Sequence, residues 1–161
     1  MEFNYVLDLD DTLVNTTKDM GGDNSKARQV TLVKGASEFL SLHGKRTSIL
    51  SAGVVTLQDQ KIDALYLRKL VKCIIVVSSP ERKLQWLSTH VAAKKMAGER
   101  VIVVGDRLDH EIQMGNRLDC ITVRMRLRGA KYSYNEPQTA LQYPNFTVQD
   151  FEELLKLKFD L

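Results

Sequence analysis

A short, mostly apolar segment near the start of the chain ends in two closely spaced carboxylates. Residues 3–7 read FNYVL, and Asp8, Asp10 and Thr12 follow at alternate positions. Alternate residues of a strand share a face, so the pattern predicts that Asp8 and Asp10 lie together at the strand's carboxyl end. Two carboxylates there repel each other unless a proton or a cation such as Mg²⁺ lies between them. The alternative is a strand that runs into an acidic, solvated turn.

The length and composition of the chain predict one globular domain spanning residues 1–161. Of its 161 residues, 43% are hydrophobic and 27% are charged, which is typical of soluble folded proteins. No apolar run is long enough to cross a bilayer, and the chain lacks the basic start of a signal peptide, so we expect a cytoplasmic protein. The net charge of +3 tolerates an anionic substrate but does not indicate nucleic-acid binding.

The two cysteines indicate neither a disulfide nor a zinc site. Cys73 and Cys120 each begin an apolar run, and they do not form a Cys-x-x-Cys pair. We therefore expect both to be buried, reduced thiols.

Alternating strand and helix patterns predict an α/β domain. Apolar runs rich in β-branched residues, typical of buried parallel strands, occur at 3–9, 46–50, 73–77, 100–104 and 120–123. Helical patterns occur at 36–43, 57–70, 80–98, 111–118 and 147–158. This order predicts a three-layer, Rossmann-like, doubly wound parallel sheet of about five strands with helices on both sides.

Two segments interrupt this alternation. Residues 15–29 are polar and contain consecutive glycines, which predicts a turn or small hairpin; we expect residues 14–30 to act as a flap or minimal cap. Residues 126–145 combine glycine, proline and three tyrosines and predict a structured surface loop. Arg124, Arg126 and Arg128 alternate where this loop begins. They either bind a second anionic group of a substrate or are solvated at a strand end, and the second interpretation is favoured.

Polar residues also follow the second and third predicted strands. Ser51, Ala52 and Gly53 can bind a phosphoryl oxygen through a hydroxyl and exposed N–H groups, although Ser-Ala-Gly is also an ordinary turn. Lys83 lies in the first turn of a helix that Ser79, as N-cap, and Pro80 are expected to start. Because a helix N-terminus favours anions, a lysine there indicates an anion site, unless it is simply solvated.

The fourth strand ends in a second acidic signal. The sequence VIVVGD closes with Gly105 and Asp106, and Asp109 and Glu111 come shortly after. Gly105 permits a tight turn, so Asp106 either projects toward a cation held by the first carboxylates or caps the next helix.

The order of these residues resembles that of the haloacid dehalogenase (HAD) superfamily of phosphohydrolases. Its four motifs are similar to Asp8-Leu9-Asp10-Asp11-Thr12, to Ser51, to Lys83 and to Gly105-Asp106, and the resemblance covers residues 3–125. It implies a Rossmann-like HAD fold. The segments between the motifs are too short for a large inserted cap domain, which indicates a capless or minimal-cap type.

The resemblance also implies a role for each motif residue. Asp8 is then the nucleophile that forms an aspartyl-phosphate, and Asp10 is the general acid and base. Thr12 positions Asp10 or its loop. Ser51 and Lys83, with Ala52 and Gly53 beside them, hold the phosphoryl oxygens.

The implied cofactor is Mg²⁺. Its ligands are the Asp8 side chain, the Asp10 backbone carbonyl and Asp106, and either Glu111 or Asp109 replaces a further carboxylate of the fourth motif. Arg107 lies in a Gly-Asp-Arg-Leu-Asp stretch similar to that of sugar-phosphate and nitrophenyl-phosphate phosphatases, and we include it among the candidate site residues. We expect the neighbouring His110 to be solvated.

The sequence thus predicts a Mg²⁺-dependent phosphatase that hydrolyses a small phosphate monoester. Asp10 argues against dehalogenation, because dehalogenases of the superfamily usually lack this second carboxylate. Two alternatives stay open: a capless phosphatase acting on a protein or polynucleotide end, and a non-catalytic HAD-fold module that binds a partner. The sequence does not define the oligomeric state.

Overall fold

The computed structural model describes residues 2–159, which form a parallel sheet with helices on both faces. The strands are β1 (Phe3–Leu7), β2 (Thr47–Ala52), β3 (Cys73–Val77), β4 (Arg100–Gly105), β5 (Ile121–Met125) and β6 (Phe146–Val148). Their order in the sheet is β3-β2-β1-β4-β5-β6, and every neighbouring pair is parallel. The expected Rossmann-like architecture is confirmed. Because the chain reverses its direction of winding at β1, a crevice forms at the carboxyl ends of β1 and β4.

The connections between strands are mostly helical. The helices are α1 (Thr16–Met20), α2 (Ala36–His43), α3 (Val55–Ala64), α4 (Pro80–Met96), α5 (Gln113–Arg117) and α6 (Phe151–Lys156). A π-helical turn at Leu108–Ile112 precedes α5, and short 3₁₀ turns occur at Asn24–Gln29, Gly44–Arg46, Leu67–Lys69 and Ala140–Gln142.

The core lies on both faces of the sheet because successive strand residues point in opposite directions. Leu7 packs into a cluster with Phe39 of α2 and Phe151 of α6. Val6, its neighbour in β1, packs on the other face with Leu87 of α4. These continuous apolar strands are buried on both sides, as expected for a parallel sheet.

The sheet has six strands, one more than the five predicted from the sequence. Residues 146–148 form β6 beside β5, whereas the sequence pattern predicts that a helix starts at 147. The last helix begins only at Phe151, where the carboxylate of Asp150 accepts a hydrogen bond from the Glu153 N–H at 2.9 Å. A three-residue strand is too short to produce a recognisable apolar pattern.

Several other boundaries differ from the predictions. The predicted helix at 57–70 is α3, which ends at Ala64 because Tyr66 adopts a left-handed conformation (φ 54°). Residues 15–29 are not a hairpin but contain α1 and a 3₁₀ turn, joined through Gly21 and Gly22 at positive φ. Cys73 is exposed and Cys120 is only half-buried, so the prediction of two buried cysteines is wrong, although both are free thiols.

No separate cap domain interrupts residues 2–159, as the short inter-motif segments predict. Within the same residues, no helix combines the length and apolarity needed to span a membrane.

Candidate active site

The carboxyl ends of β1 and β4 bring the first and fourth motifs together. β1 ends at Leu7, and the N–H of the next residue, Asp8, donates to the carbonyl of Val104 at 2.9 Å. Asp106 follows β4 directly. Sheet pairing therefore places the buried side chains of Asp8 and Asp106 next to each other.

Three buried carboxylates converge at this point. Oxygens of Asp8, Asp106 and Glu111 all lie within 4.8 Å of one another. Burial, the largest cause, raises the pKa of Asp8 to about 7 and that of Asp106 to about 9, and repulsion between the carboxylates adds to both shifts. The cluster thus favours a bound proton or cation.

The donor atoms of this cluster suit Mg²⁺. They are carboxylate oxygens, which a small hard cation prefers over nitrogen or sulfur ligands. Asp8 and Asp106, both expected as ligands from the resemblance, are two of its three members. The residues present therefore fit a magnesium ion.

The side chain of Lys83 extends from α4 into the acidic cluster. Its Nζ lies 2.7 Å from Oδ1 of Asp8 and 2.5 Å from Oε1 of Glu111, and the residue is only 3% exposed. Burial alone lowers the pKa of a lysine, but the two carboxylates outweigh it and raise the pKa of Lys83 above its ordinary value. The alternative that Lys83 is simply solvated is wrong.

The start of α4 follows the sequence signal. Ser79 is the N-cap, and its hydroxyl accepts a hydrogen bond from the Arg82 N–H at 3.3 Å, while Pro80 takes the first helical position. These two residues fix where the helix begins, and hence which face of its first turn carries Lys83.

The π-helical turn brings Glu111 into the cluster. The Ile112 N–H reaches back five residues to the carbonyl of Arg107 at 3.3 Å, a wider turn than an α-helix allows. Gly105 is needed here because a β-carbon at this position would overlap the Glu111 side chain. Asp106 does not cap the helix; the N-cap position belongs to Arg107.

Asp109 points away from the cluster. Its carboxylate accepts two hydrogen bonds from Arg107, from Nε at 3.1 Å and from Nη2 at 2.8 Å, and it is exposed. His110 lies on the cavity wall and is half-buried, contrary to the expectation of a solvated residue; burial lowers its pKa.

Asp10 faces a different cation from Asp8. Because β1 ends at Leu7, strand alternation does not continue through the motif, and Asp10 turns toward α3. Its carboxylate accepts hydrogen bonds from Lys61 Nζ at 2.7 Å, Gln58 Nε2 at 2.7 Å and Thr16 Oγ1 at 2.6 Å. Burial alone raises the pKa of Asp10, but Lys61 and these hydrogen bonds outweigh it and hold the pKa below its ordinary value.

Ser51 lies one residue before the end of β2, beside the same group of side chains. Its buried hydroxyl accepts a hydrogen bond from Gln58 Nε2 at 2.7 Å, and Ala52 and Gly53 line the cavity next to it. Sequence reasoning missed Gln58 and Lys61, because polar residues in a helix are usually solvated. The available signal was their separation of three residues, which places them on one helix face close after Ser51.

Thr12 is buried, and its hydroxyl makes no hydrogen bond within the described residues. The threonines of α1 take the contacts with the first motif instead. Thr17 donates to Asp11 from its N–H at 2.8 Å and from its hydroxyl at 2.5 Å, and Asp11 sits in a left-handed turn (φ 52°). The segment predicted to act as a flap is thereby attached to the first motif.

A cavity of about 730 Å³ opens over these groups. Asp8, Asp106 and Lys83 form part of its floor, and Met20 of the flap and Tyr132 of the 126–145 loop contribute to its walls. This volume lies in the range of small-molecule sites.

Arg124 and Arg126 support the loop and do not line the cavity. Arg124 is buried, and its Nη2 donates to the carbonyls of Tyr132, Ser133 and Asn135 at 2.8–3.3 Å. Arg126 Nε donates to the Ser133 carbonyl at 2.7 Å. Arg124 therefore fits neither interpretation from sequence, whereas Arg126 and Arg128 are exposed, as the interpretation of a solvated strand end predicts.

Sequence comparison finds a relative that matches only part of the chain. No protein-family model matches the chain. A segment of 63 residues is 41% identical to the glyceraldehyde 3-phosphate phosphatase of Methanopyrus kandleri. The match covers 39% of this chain and 26% of the relative, so the chain spans only about a quarter of that protein.

Solved structures match nearly the whole chain. YfnB of Bacillus subtilis, described as a HAD hydrolase and solved with bound magnesium, has a TM-score of 0.68 at 15% identity and covers 96% of this chain and 97% of its own. A Clostridium difficile protein described as a phosphatase has a TM-score of 0.70 at 13% identity, covering 96% and 98%. A haloacid dehalogenase-like hydrolase of Burkholderia xenovorans has a TM-score of 0.70 at 16% identity, covering 98% and 96%. The chain therefore has the fold of HAD-like hydrolases.

Proposed function

We propose that this chain, which has the HAD-like hydrolase fold, is a magnesium-dependent phosphatase that hydrolyses a small phosphate monoester through an aspartyl-phosphate on Asp8. The observation that carries the proposal is the contact between Asp8 and Lys83 inside a buried cluster of three carboxylates. Such a cluster costs folding stability unless it holds a cation, so its presence supports a catalytic role over a passive binding role.

The first step is attack by an Oδ atom of Asp8 on phosphorus. A bond forms between this oxygen and phosphorus, and the bond from phosphorus to the leaving oxygen breaks. Asp10 passes a proton to the leaving oxygen. Because Lys61 and the hydrogen bonds to Asp10 hold its pKa below the ordinary value in the free protein, it takes this proton from the monoprotonated phosphate ester as the ester binds. Lys83 holds the Asp8 carboxylate in place and provides positive charge beside the phosphoryl oxygens.

The second step hydrolyses the aspartyl-phosphate. Asp10, now without its proton, accepts one from a water molecule whose oxygen attacks phosphorus, and the bond between phosphorus and Asp8 breaks. Ser51 contributes a hydroxyl to the phosphoryl oxygens in both steps. The overall products are an alcohol and inorganic phosphate, and the enzyme returns to its starting state.

Asp8, Asp106 and the Asp10 backbone carbonyl would hold the magnesium ion, with Glu111 beside them. When bound, it supplies the positive charge that lets a carboxylate approach a phosphate dianion. The magnesium-bound structure of YfnB, which shares the fold, supports this assignment.

The shape of the cavity favours a small substrate over the end of a macromolecule. Its volume of about 730 Å³ suits a metabolite-sized ester. The flap also contacts the opposite wall, since the Lys131 N–H donates to the Thr17 hydroxyl at 3.2 Å. The activity of the Methanopyrus kandleri relative, a phosphatase of glyceraldehyde 3-phosphate by name, is consistent with a short phosphate ester.

The proposal is tested by hydrolysis of p-nitrophenyl phosphate and a panel of small phosphate esters, with Mg²⁺ or with EDTA. We expect turnover that requires the metal and that Asp8→Asn abolishes. Metal-independent turnover, or full activity of the variant, contradicts the proposal. Asp59→Asn serves as a control that keeps activity, because this half-buried carboxylate of α3 contacts Arg68 and does not line the cavity.

A further inference from the structure

Two polar residues of α3 lie buried where apolar side chains would pack well. Gln58 and Lys61 are 2% and 3% exposed, and Ile62 beside them is fully buried in the core. Burying an amide and an ammonium costs free energy that a leucine or methionine would not cost. Hydrogen-bond partners for the buried amide and ammonium must therefore offset this cost.

Those partners are the predicted catalytic side chains. Lys61 Nζ donates to Asp10 Oδ1 at 2.7 Å and to Gln58 Oε1 at 2.8 Å. Gln58 Nε2 donates both to Asp10 Oδ2 and to Ser51 Oγ, each at 2.7 Å. Both amide hydrogens and the amide oxygen of Gln58 are thus engaged, which fixes the orientation of the side chain.

This network ties the first motif to the second. Asp10 is held at both carboxylate oxygens, so its rotation about the side-chain bonds is restricted. Because the buried Ser51 hydroxyl accepts from Gln58, its own hydrogen remains available to donate to a second acceptor. One pair of α3 residues thereby orients a proton-transfer group and a phosphoryl-binding hydroxyl together.

We propose that Gln58 and Lys61 are positioning residues that hold Asp10 and Ser51 in their working orientation for phosphate ester hydrolysis. The inference rests on the proposed function, since it assigns these residues to the same reaction. They act through Asp10 and Ser51 and not by touching the reacting atoms. Fixed geometry of this kind accounts for a large share of catalytic rate, because a small displacement of a proton-transfer group is costly.

The test compares two classes of substrate in Lys61→Met and Gln58→Leu. Alkyl phosphates such as glycerol phosphate need a proton on the leaving oxygen, whereas the nitrophenolate of p-nitrophenyl phosphate leaves without one. We expect kcat on alkyl phosphates to fall by about 10²–10⁴-fold, the usual contribution of a general acid or base. KM should change little in Lys61→Met, which keeps the contact between Gln58 and Ser51, and should rise for both substrates in Gln58→Leu, which loses it.

On p-nitrophenyl phosphate the same variants are expected to show a burst. Phosphorylation of Asp8 stays rapid, but the hydrolysis step still needs Asp10, so one equivalent of nitrophenolate per enzyme appears before slow turnover. A merely structural role would slow both substrates equally without a burst. Lys69→Met, at an exposed position just beyond α3, is the control and is expected to behave like the wild type.

The outcomes separate this inference from the proposed function. If the wild type shows no magnesium-dependent turnover, the proposed function fails. If the wild type is active and both α3 variants match it, or if both variants slow the two substrates equally without a burst, the positioning role is overturned. Should Lys61→Met not fold, as judged by thermal unfolding, Gln58→Leu decides the question because it removes no charge.

Discussion

Lys83 Nζ lies 2.7 Å from Oδ1 of Asp8, and both groups are buried at the end of the sheet. A single ammonium faces three carboxylates there, since Asp106 and Glu111 complete the cluster. One ammonium cannot neutralise three carboxylates, so the cluster must bind protons or, in their place, a divalent cation. Lys83 orients the nucleophile, and the remaining negative charge attracts the metal.

The two acidic residues after Asp106 are expected to differ sharply in importance. Glu111→Gln removes a carboxylate from the cluster and weakens the contact with Lys83, so we expect the Mg²⁺ concentration needed for half-maximal activity to rise at least about tenfold. Asp109→Asn is the matched control, because its carboxylate only contacts Arg107 at the surface. Titration of activity with Mg²⁺ measures both; equal effects would contradict the assignment of Glu111 to the site.

Stability of the metal-free protein is expected to depend on pH. The pKa values of Asp8 and Asp106, about 7 and about 9, exceed the ordinary value of 3.8. Between the unfolded-state pKa of 3.8 and these raised values, the folded state binds more protons than the unfolded state. The free energy of unfolding therefore decreases as pH rises from about 4 to about 9. Mg²⁺ replaces those protons, and its stabilising effect should therefore grow with pH.

Thermal unfolding in EDTA and in Mg²⁺, across a pH series, checks this expectation. Plotted against pH, the Tm values in EDTA and in Mg²⁺ should diverge as pH rises. Asp106→Asn should make the Tm in EDTA less dependent on pH, because it removes the carboxyl with the most strongly raised pKa. For a domain of this size, 1 kcal/mol corresponds to roughly 2–4 °C in Tm. Parallel curves would show that the cluster does not bind the ion.

Loss of Lys83 is expected to harm both stability and activity. Lys83→Met leaves Asp8 and Glu111 buried without their cation, and breaking a buried pair in this way costs about 3–5 kcal/mol. Chemical denaturation measures this loss, and Mg²⁺ should restore part of it. Lys95→Met, on the exposed side of the same helix, should cost less than about 1 kcal/mol. Similar losses in the two variants would argue against a special role for Lys83.

Arg124 is expected to keep the 126–145 loop, which bounds the cavity, in a single conformation. Arg124→Met removes hydrogen bonds to three backbone carbonyls of residues 132–135. We predict faster proteolytic cleavage in this loop and a raised KM, because Tyr132 lines the cavity. Limited proteolysis with Arg128→Met, an exposed neighbour, as the control tests this. Unchanged cleavage of the Arg124 variant would contradict it.

The sequence was sufficient for five of the six strands and for the positions of the four motifs along the chain. Long apolar runs and the N-cap at Ser79 are local signals, and each defines an element independently of the rest of the chain. The order of Asp8, Ser51, Lys83 and Asp106 then follows from the topology, because parallel strands present their carboxyl ends at one edge.

The finer geometry depends on features that have no local signal. Whether Asp109 or Glu111 joins the cluster is decided by the π-helical turn, which no residue pattern marks. The partners of Asp10 come from a helix some fifty residues later, where Gln58 and Lys61 look like ordinary solvated positions. Such long-range contacts emerge only when the packing is known.

Trapping of the reaction intermediate tests the central claim most directly. The enzyme is mixed with a substrate carrying radiolabelled phosphate and Mg²⁺, quenched in acid and digested. The account predicts label on the peptide that contains Asp8, released by hydroxylamine and absent from Asp8→Asn. Turnover by the wild type without any label on the protein under rapid quench, or label that persists in the variant, would contradict Asp8 as the nucleophile.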